Sequence, residues 1–214
     1  MAVDREEQER ELTAAEQGRL ERYQQLSADL EAQGYKRTEL TVGIVRANVI
    51  AMLAAIPIMV AGFALFMLAN SGRALTRTFF DNGLVQIVAV LVLVVVHELV
   101  HGITWSFFTE HGFADIEFGF MKEYLTPYCV CTCPLTKTGH VVGTLAPLVL
   151  LGIIPTAIAI AMGSRGLLML GLLMMLAAGG DVMIATMLLR HKETGTECMV
   201  IDHPTQAGCA VFER

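Results

Sequence analysis

Charge is scarce in this chain: 17 % of its 214 residues are charged against 54 % hydrophobic, and the mean hydropathy is positive. That balance excludes an ordinary soluble domain and points to a membrane protein. A basic footprint is also missing, because the first 42 residues carry ten Asp/Glu against six Lys/Arg and the net charge is -6. Nucleic acid is therefore not an expected partner. The opening "MAVDREEQERELTAAEQ" has no short apolar core behind a basic start, so no cleaved secretory signal is expected and insertion relies on internal spans. Cysteines suited to pairing are lacking too. Of the five, Cys129, Cys131 and Cys133 alternate within five residues, a spacing that disfavours bridges among them, and all five read as reduced thiols.

What the chain does have is long apolar runs, at about 47–69, 84–108, 141–163 and 167–189. Each is near the ~20 residues a helix needs to cross hydrocarbon. The expected fold is an all-α polytopic membrane protein of about four transmembrane helices. Residues 1–42 form an N-terminal segment, with an amphipathic helix expected over 4–33. There Leu20, Tyr23, Leu26 and Leu30 recur at helical spacing before Gly34, giving either a surface that lies on membrane or partner or a solvated helix with a modest apolar stripe. Residues 43–189 form the membrane core, with loop 109–140 expected to carry a small β-hairpin, and 190–214 form a short tail. Lys and Arg bias the orientation: twelve fall in segments on the N-terminal side of the membrane and only Arg73, Arg77 and Arg165 on the other. Both termini and the 109–140 loop should therefore be cytoplasmic, in a multi-pass protein of the cell membrane.

Within the second run stands "VLVVVHELVHGITW". His97 and His101 are one helical turn apart on one face, where both imidazoles can bind one ion, and Glu98 sits beside them. In an H-E-x-x-H arrangement that carboxylate takes a proton from a water at the metal, and the resulting hydroxide attacks a peptide carbonyl. Ionisable side chains facing lipid cost on the order of a few kcal/mol each, so three of them within five residues of a span need a partner or a function. A metal accounts for all three together; a hydrogen-bonded polar cluster between helices is the alternative. Catalytic zinc usually takes three protein ligands, so one is missing. The metzincin extension does not supply it, since its Gly and third His positions fall on Thr104 and Phe107. Asp181, the lone ionisable residue inside the fourth run, lies at a depth matching that of His101, about 10–12 Å from the same end at ~1.5 Å rise per residue. Gly179 and Gly180 before it permit close helix approach, as simple packing or to shape the site.

Together, "HELVHG", "LAP" (Leu145–Pro147), "GGD", "FGF" (Phe118–Phe120), "PYC" (Pro127–Cys129) and "IDHPTQAGCAV" resemble a family of zincin peptidases long classed as a domain of unknown function, related to site-2-type intramembrane metalloproteases. The resemblance spans roughly 40–212. It implies that His97, His101 and Asp181 bind zinc, that Glu98 is the base, and that a hairpin in 109–140 can hold an extended substrate. The Gly-Gly-Asp setting departs from the N-P or L-D-G type surroundings usual for the aspartate of site-2 proteases. His140 and His203 read as interfacial or surface histidines, and Trp105, Phe107 and Phe108 as an interfacial aromatic belt. Cys129, Cys131 and Cys133 read as packed thiols sharing a strand face rather than a second metal site.

The expected activity is a zinc-dependent intramembrane endopeptidase acting on a membrane-inserted or membrane-associated peptide, with membrane lipid as its surroundings. A non-catalytic module with a structural metal site that binds a partner is the alternative. An unliganded carboxylate beside the ion favours catalysis. A metal transporter fits less well, because the first and third runs hold no ionisable residues.

Overall fold

The structure, a computed structural model, describes residues 13–121 and 126–214. Residues 4–12 of the expected N-terminal helix, and Lys122 and Glu123 of the loop, lie outside the described residues.

Four helical stretches follow the four apolar runs. Helix α2 spans Ile44–Ala69 and α3 spans Gly83–Ser106. The third stretch, Lys137–Met162, is built from α4 (Lys137–Pro147), a wide π-helical stretch (Leu148–Ile153) and α5 (Ile154–Met162). Pro155 brings no N–H to the carbonyl four residues back, and the irregular turn precedes it. The fourth is broken: α6 (Arg165–Ala177) and α7 (Gly179–Arg190) meet at 47°. Among the described residues, three helices are thus long and apolar enough to cross a membrane, and a fourth if the bent pair is one span. At the far end Asn70 ties two of them, its amide donating to the Phe66 carbonyl at 3.0 Å and the Ile160 carbonyl at 3.1 Å.

The fold is mostly helical but not all-α. The expected hairpin is present: β2 (Ile116–Met121) pairs antiparallel with β3 (Thr126–Cys131). A second, unexpected sheet joins β1 (Lys36–Val42), β4 (Leu135–Thr136), β5 (Cys198–Asp202) and β6 (Ala207–Glu213) in the order β1-β6-β5-β4, all antiparallel. The stretch expected as a tail therefore supplies the sheet's two central strands. Gly208, at φ +135°, lies against the Leu40 carbonyl, where a Cβ has no room.

Helix α1 (Ala14–Ala32) starts at Thr13, whose hydroxyl accepts from the Glu16 N–H at 3.3 Å while Glu16 accepts from the Thr13 N–H at 2.9 Å. This reciprocal cap satisfies two orphan donors. The turn after the helix places Gly34 at φ +92°. The α1 stripe meets the chain's own sheet: Tyr23 and Leu30 are buried with Ile201, Ala210 and Phe212, and Leu26 packs against them. Fully burying a side chain such as Phe212 contributes about 1.5–3 kcal/mol. The opposite sheet face buries Val200, Cys209 and Val211 against Leu188 of α7. Since α2 starts, α3 ends, α4 starts and α7 ends beside these sheets, all the strands gather at one end of the helical bundle.

Candidate metal centre

His97, Glu98 and His101 lie in the C-terminal half of α3, a helix capped by Asn82, whose side chain accepts from the Leu84 and Val85 N–H groups. Both imidazoles are buried, at 7 % and 5 % exposure. Asp181 is the third residue of α7, immediately past the break. Gly179 makes that placement possible, because a Cβ there would run into the Ala51 carbonyl of α2, whereas Gly180 faces open space. Of the two glycines, Gly179 serves the close approach.

The side chains converge. His97 Nε2 is 3.2 Å from His101 Nε2 and 3.1 Å from Asp181 Oδ2, and His101 Nε2 is 3.4 Å from Asp181 Oδ1. Tetrahedral zinc with ligand bonds of 2.0–2.1 Å sets its donors about 3.3 Å apart, and the three separations are of that size, the two to Asp181 running to different carboxylate oxygens. His101 Nδ1 lies 2.9 Å from the Gly143 carbonyl, which can only accept, so this nitrogen carries the hydrogen and Nε2 is the atom that faces the carboxylate. A positive charge between ring and carboxylate, as a proton on Nε2 or as a metal ion, satisfies both. Among the described residues, this is the single group of three or more His, Cys, Asp or Glu able to hold a metal.

Glu98 is half-buried, and its carboxylate lies within reach of the backbone N–H of Cys129 in β3. The hairpin reaches α3 because Gly102 has no side chain; Phe118, Ile116 and Cys129 close over the space. Trp105 stacks on His101 with ring centroids 5.1 Å apart at 18°, in room left by Gly143. Its indole N–H donates to the His140 carbonyl at 3.2 Å.

Several residues sit differently from their sequence-based assignment. His140 is a buried joint, not a surface histidine: Nε2 is 2.8 Å from Asp202 Oδ1 in β5, and Nδ1 is 3.2 Å from the Thr144 hydroxyl. Trp105 is buried, so of the expected belt Phe107 and Phe108 alone are exposed. His203 staples the β5–β6 turn, accepting from the Thr205 and Gln206 N–H groups. Glu117 pairs with Arg22 and His111 with Asp115, away from the centre. Cys129 and Cys131 are buried with Trp105 and Leu135, and Cys133 packs beside them, its sulfur 3.4 Å from that of Cys131. Sequence reasoning missed Gly143, Trp105 and the Cys129 N–H. The i, i+4 step from His101 to Trp105 was the one available signal.

Residues 90–195 match the model of a family described as "Putative zincin peptidase". No curated protein and no solved structure matches the chain. The matched span holds His97, Glu98, His101, the hairpin and Asp181, and leaves out α1, α2 and three strands of the larger sheet.

Proposed function

From the match of residues 90–195 to the family described as "Putative zincin peptidase", we propose that the protein is a zinc-dependent intramembrane endopeptidase. The observation that supports it is the triangle of His97, His101 and Asp181, with donor separations of 3.1–3.4 Å, beside a carboxylate that is not part of it. When bound, zinc supplies Lewis-acid polarisation of the scissile carbonyl and makes a water acidic enough to ionise near neutral pH. Every other task falls to the chain. His97 and His101 would hold the ion from one face of α3 and Asp181 from α7. Glu98 accepts the proton of the attacking water and returns it to the leaving amine. The Cys129 N–H aims that carboxylate, and the Gly143 carbonyl fixes the His101 ring. On the Lys/Arg bias, the sheet-bearing end faces the cytoplasm of a cell membrane, and the substrate is a membrane-inserted segment that unwinds near that end.

The test uses full-length protein in nanodiscs, a panel of fluorogenic single-span peptides, and metal analysis in parallel. Glu98→Gln should keep its zinc and lose about 10²–10⁴-fold in turnover, the range general acid–base catalysis spans. Asp181→Ala should lose zinc first, and chelation of wild type should stop hydrolysis until zinc is restored. Undiminished turnover by Glu98→Gln would sink the mechanism. Unchanged zinc content in Asp181→Ala would remove that residue from the ligand set.

A further inference from the structure

Resting on that reading, we propose that the cavity between α1, β3 and the β5–β6 turn binds the water-exposed flank of the peptide substrate, receiving a bulky aliphatic or aromatic side chain. The cavity holds about 540 Å³ and is separate from the metal triangle. That is within the size range of small-ligand sites and larger than one side chain needs. Tyr23, Leu26, Val130 and Ile201 give it a largely apolar lining.

Its charged residues are engaged within the chain. Arg19 stacks on Tyr128 and bonds its hydroxyl, and Arg22 pairs with Glu117. Asp202 holds His140, and Glu16 closes the α1 cap. A charged occupant would have to break one of these pairs, whereas an apolar side chain breaks none.

Two observations favour a substrate flank over other occupants. The first is continuity with the metal centre through one strand. Tyr128 and Val130 of β3 line the cavity, and Cys129 between them sets its sulfur against Gly102 of α3, one turn beyond Glu98. Successive strand side chains face opposite ways, so the cavity and the α3 face that carries the base lie on two sides of the same strand. The second is height. Asn48, in the first turns of α2, lines the cavity, which places it where the apolar helices begin. A peptide anchored there by a side chain just outside its span has a short path to Glu98.

The experiment uses full-length Glu98→Gln in nanodiscs, with and without chelator, and fluorescein-labelled octapeptides. One is a Gly-Ser chain with Leu-Phe at its centre; the other carries Ser-Asp there. The Leu-Phe peptide should bind at least tenfold tighter, with or without metal. Val130→Trp, which fills the cavity, and Leu26→Gln, which makes its wall polar, should each weaken that binding at least tenfold while circular dichroism stays unchanged. In wild type, single-span reporters flanked by Leu-Phe should show a KM at least tenfold lower than those flanked by Ser-Asp, with kcat within twofold. Equal affinities for the two peptides, indifference to both substitutions, or equal KM values would each overturn the proposal, as would displacement by dihexanoyl-phosphatidylcholine without peptide preference. Binding is read in a variant that cannot turn over and without metal, so a failed hydrolysis assay and a failed cavity give different results.

Discussion

At the scale of single residues, chemistry follows from which atom faces which. Burial pushes the Cys129 and Cys209 thiols well above their ordinary range. Cys133 differs: its hydrogen bond with the Cys131 thiol, against the effect of its own partial burial, holds it below that range. The thiolate is the reactive form, so iodoacetamide at pH 7.5 should alkylate Cys133 first and leave Cys129 and Cys209 unmodified until the protein is denatured. Cys131→Ala should slow alkylation of Cys133 severalfold. Peptide mapping by mass spectrometry checks the order, and equal early labelling of Cys209 would contradict it. The clustering of His97, His101 and Asp181 was legible at this scale, because ionisable residues inside apolar runs are costly and stand out. The supports of that triangle were not, since Gly143 and the Cys129 N–H act through backbone atoms that carry no side-chain signature.

At the scale of elements, runs of about 20 apolar residues announced the helices, and the hairpin showed in the strand-favouring residues of 116–131. The larger sheet was hidden for a physical reason. Strands β5 and β6 are covered by α1 on one face and α7 on the other, so "AGCAVFE" shows no alternation, and β1 finds its partner about 170 residues away. The hairpin's seat on α3 yields a prediction. A Cβ at Gly102 would lie 2.5 Å from Phe118 Cζ, 2.8 Å from Ile116 Cγ2 and 3.2 Å from Cys129 Sγ. Gly102→Leu should therefore lift β2–β3 off the helix, at about 1–3 kcal/mol for overpacking, and withdraw the Cys129 N–H from Glu98. Hydrogen exchange in 116–131 should quicken while α2 stays protected, and kcat should fall with zinc content unchanged. Unaltered exchange in the hairpin would show that the seat does not hold it.

At the scale of the whole molecule, the question is what joins a sheet at the bundle end to helices that carry a candidate metal centre. The joints are polar and partly buried. His140 reaches Asp202, Lys137 reaches Glu193 and the His191 carbonyl, and Glu213 takes the Thr194 N–H and hydroxyl, both at 3.1 Å, beside His191. Burial alone would push the Glu213 carboxyl up, but the Thr194 donors and the His191 imidazole outweigh it and hold it below the usual carboxylate range. Glu197 is held down by the Tyr35 hydroxyl and Arg214 at the neighbouring strand end. A carboxyl depressed in the folded state contributes stability that is fully present above its unfolded value, about 4.3 for Glu, and is lost as pH falls through the folded value. The sheet joint should accordingly hold at pH 7 and loosen below about pH 4. Exchange of β5 and β6 amides should quicken there before that of α2 and α3, whose exposed apolar surfaces carry few titratable groups. Glu213→Gln keeps the shape and removes the charge, so it should lower stability at pH 7 and flatten the acid dependence of β6. Equal protection of β6 at pH 7 and pH 3 in wild type would mean that the sheet is held by its apolar faces alone, leaving the polar joints without a part in coupling it to the helices.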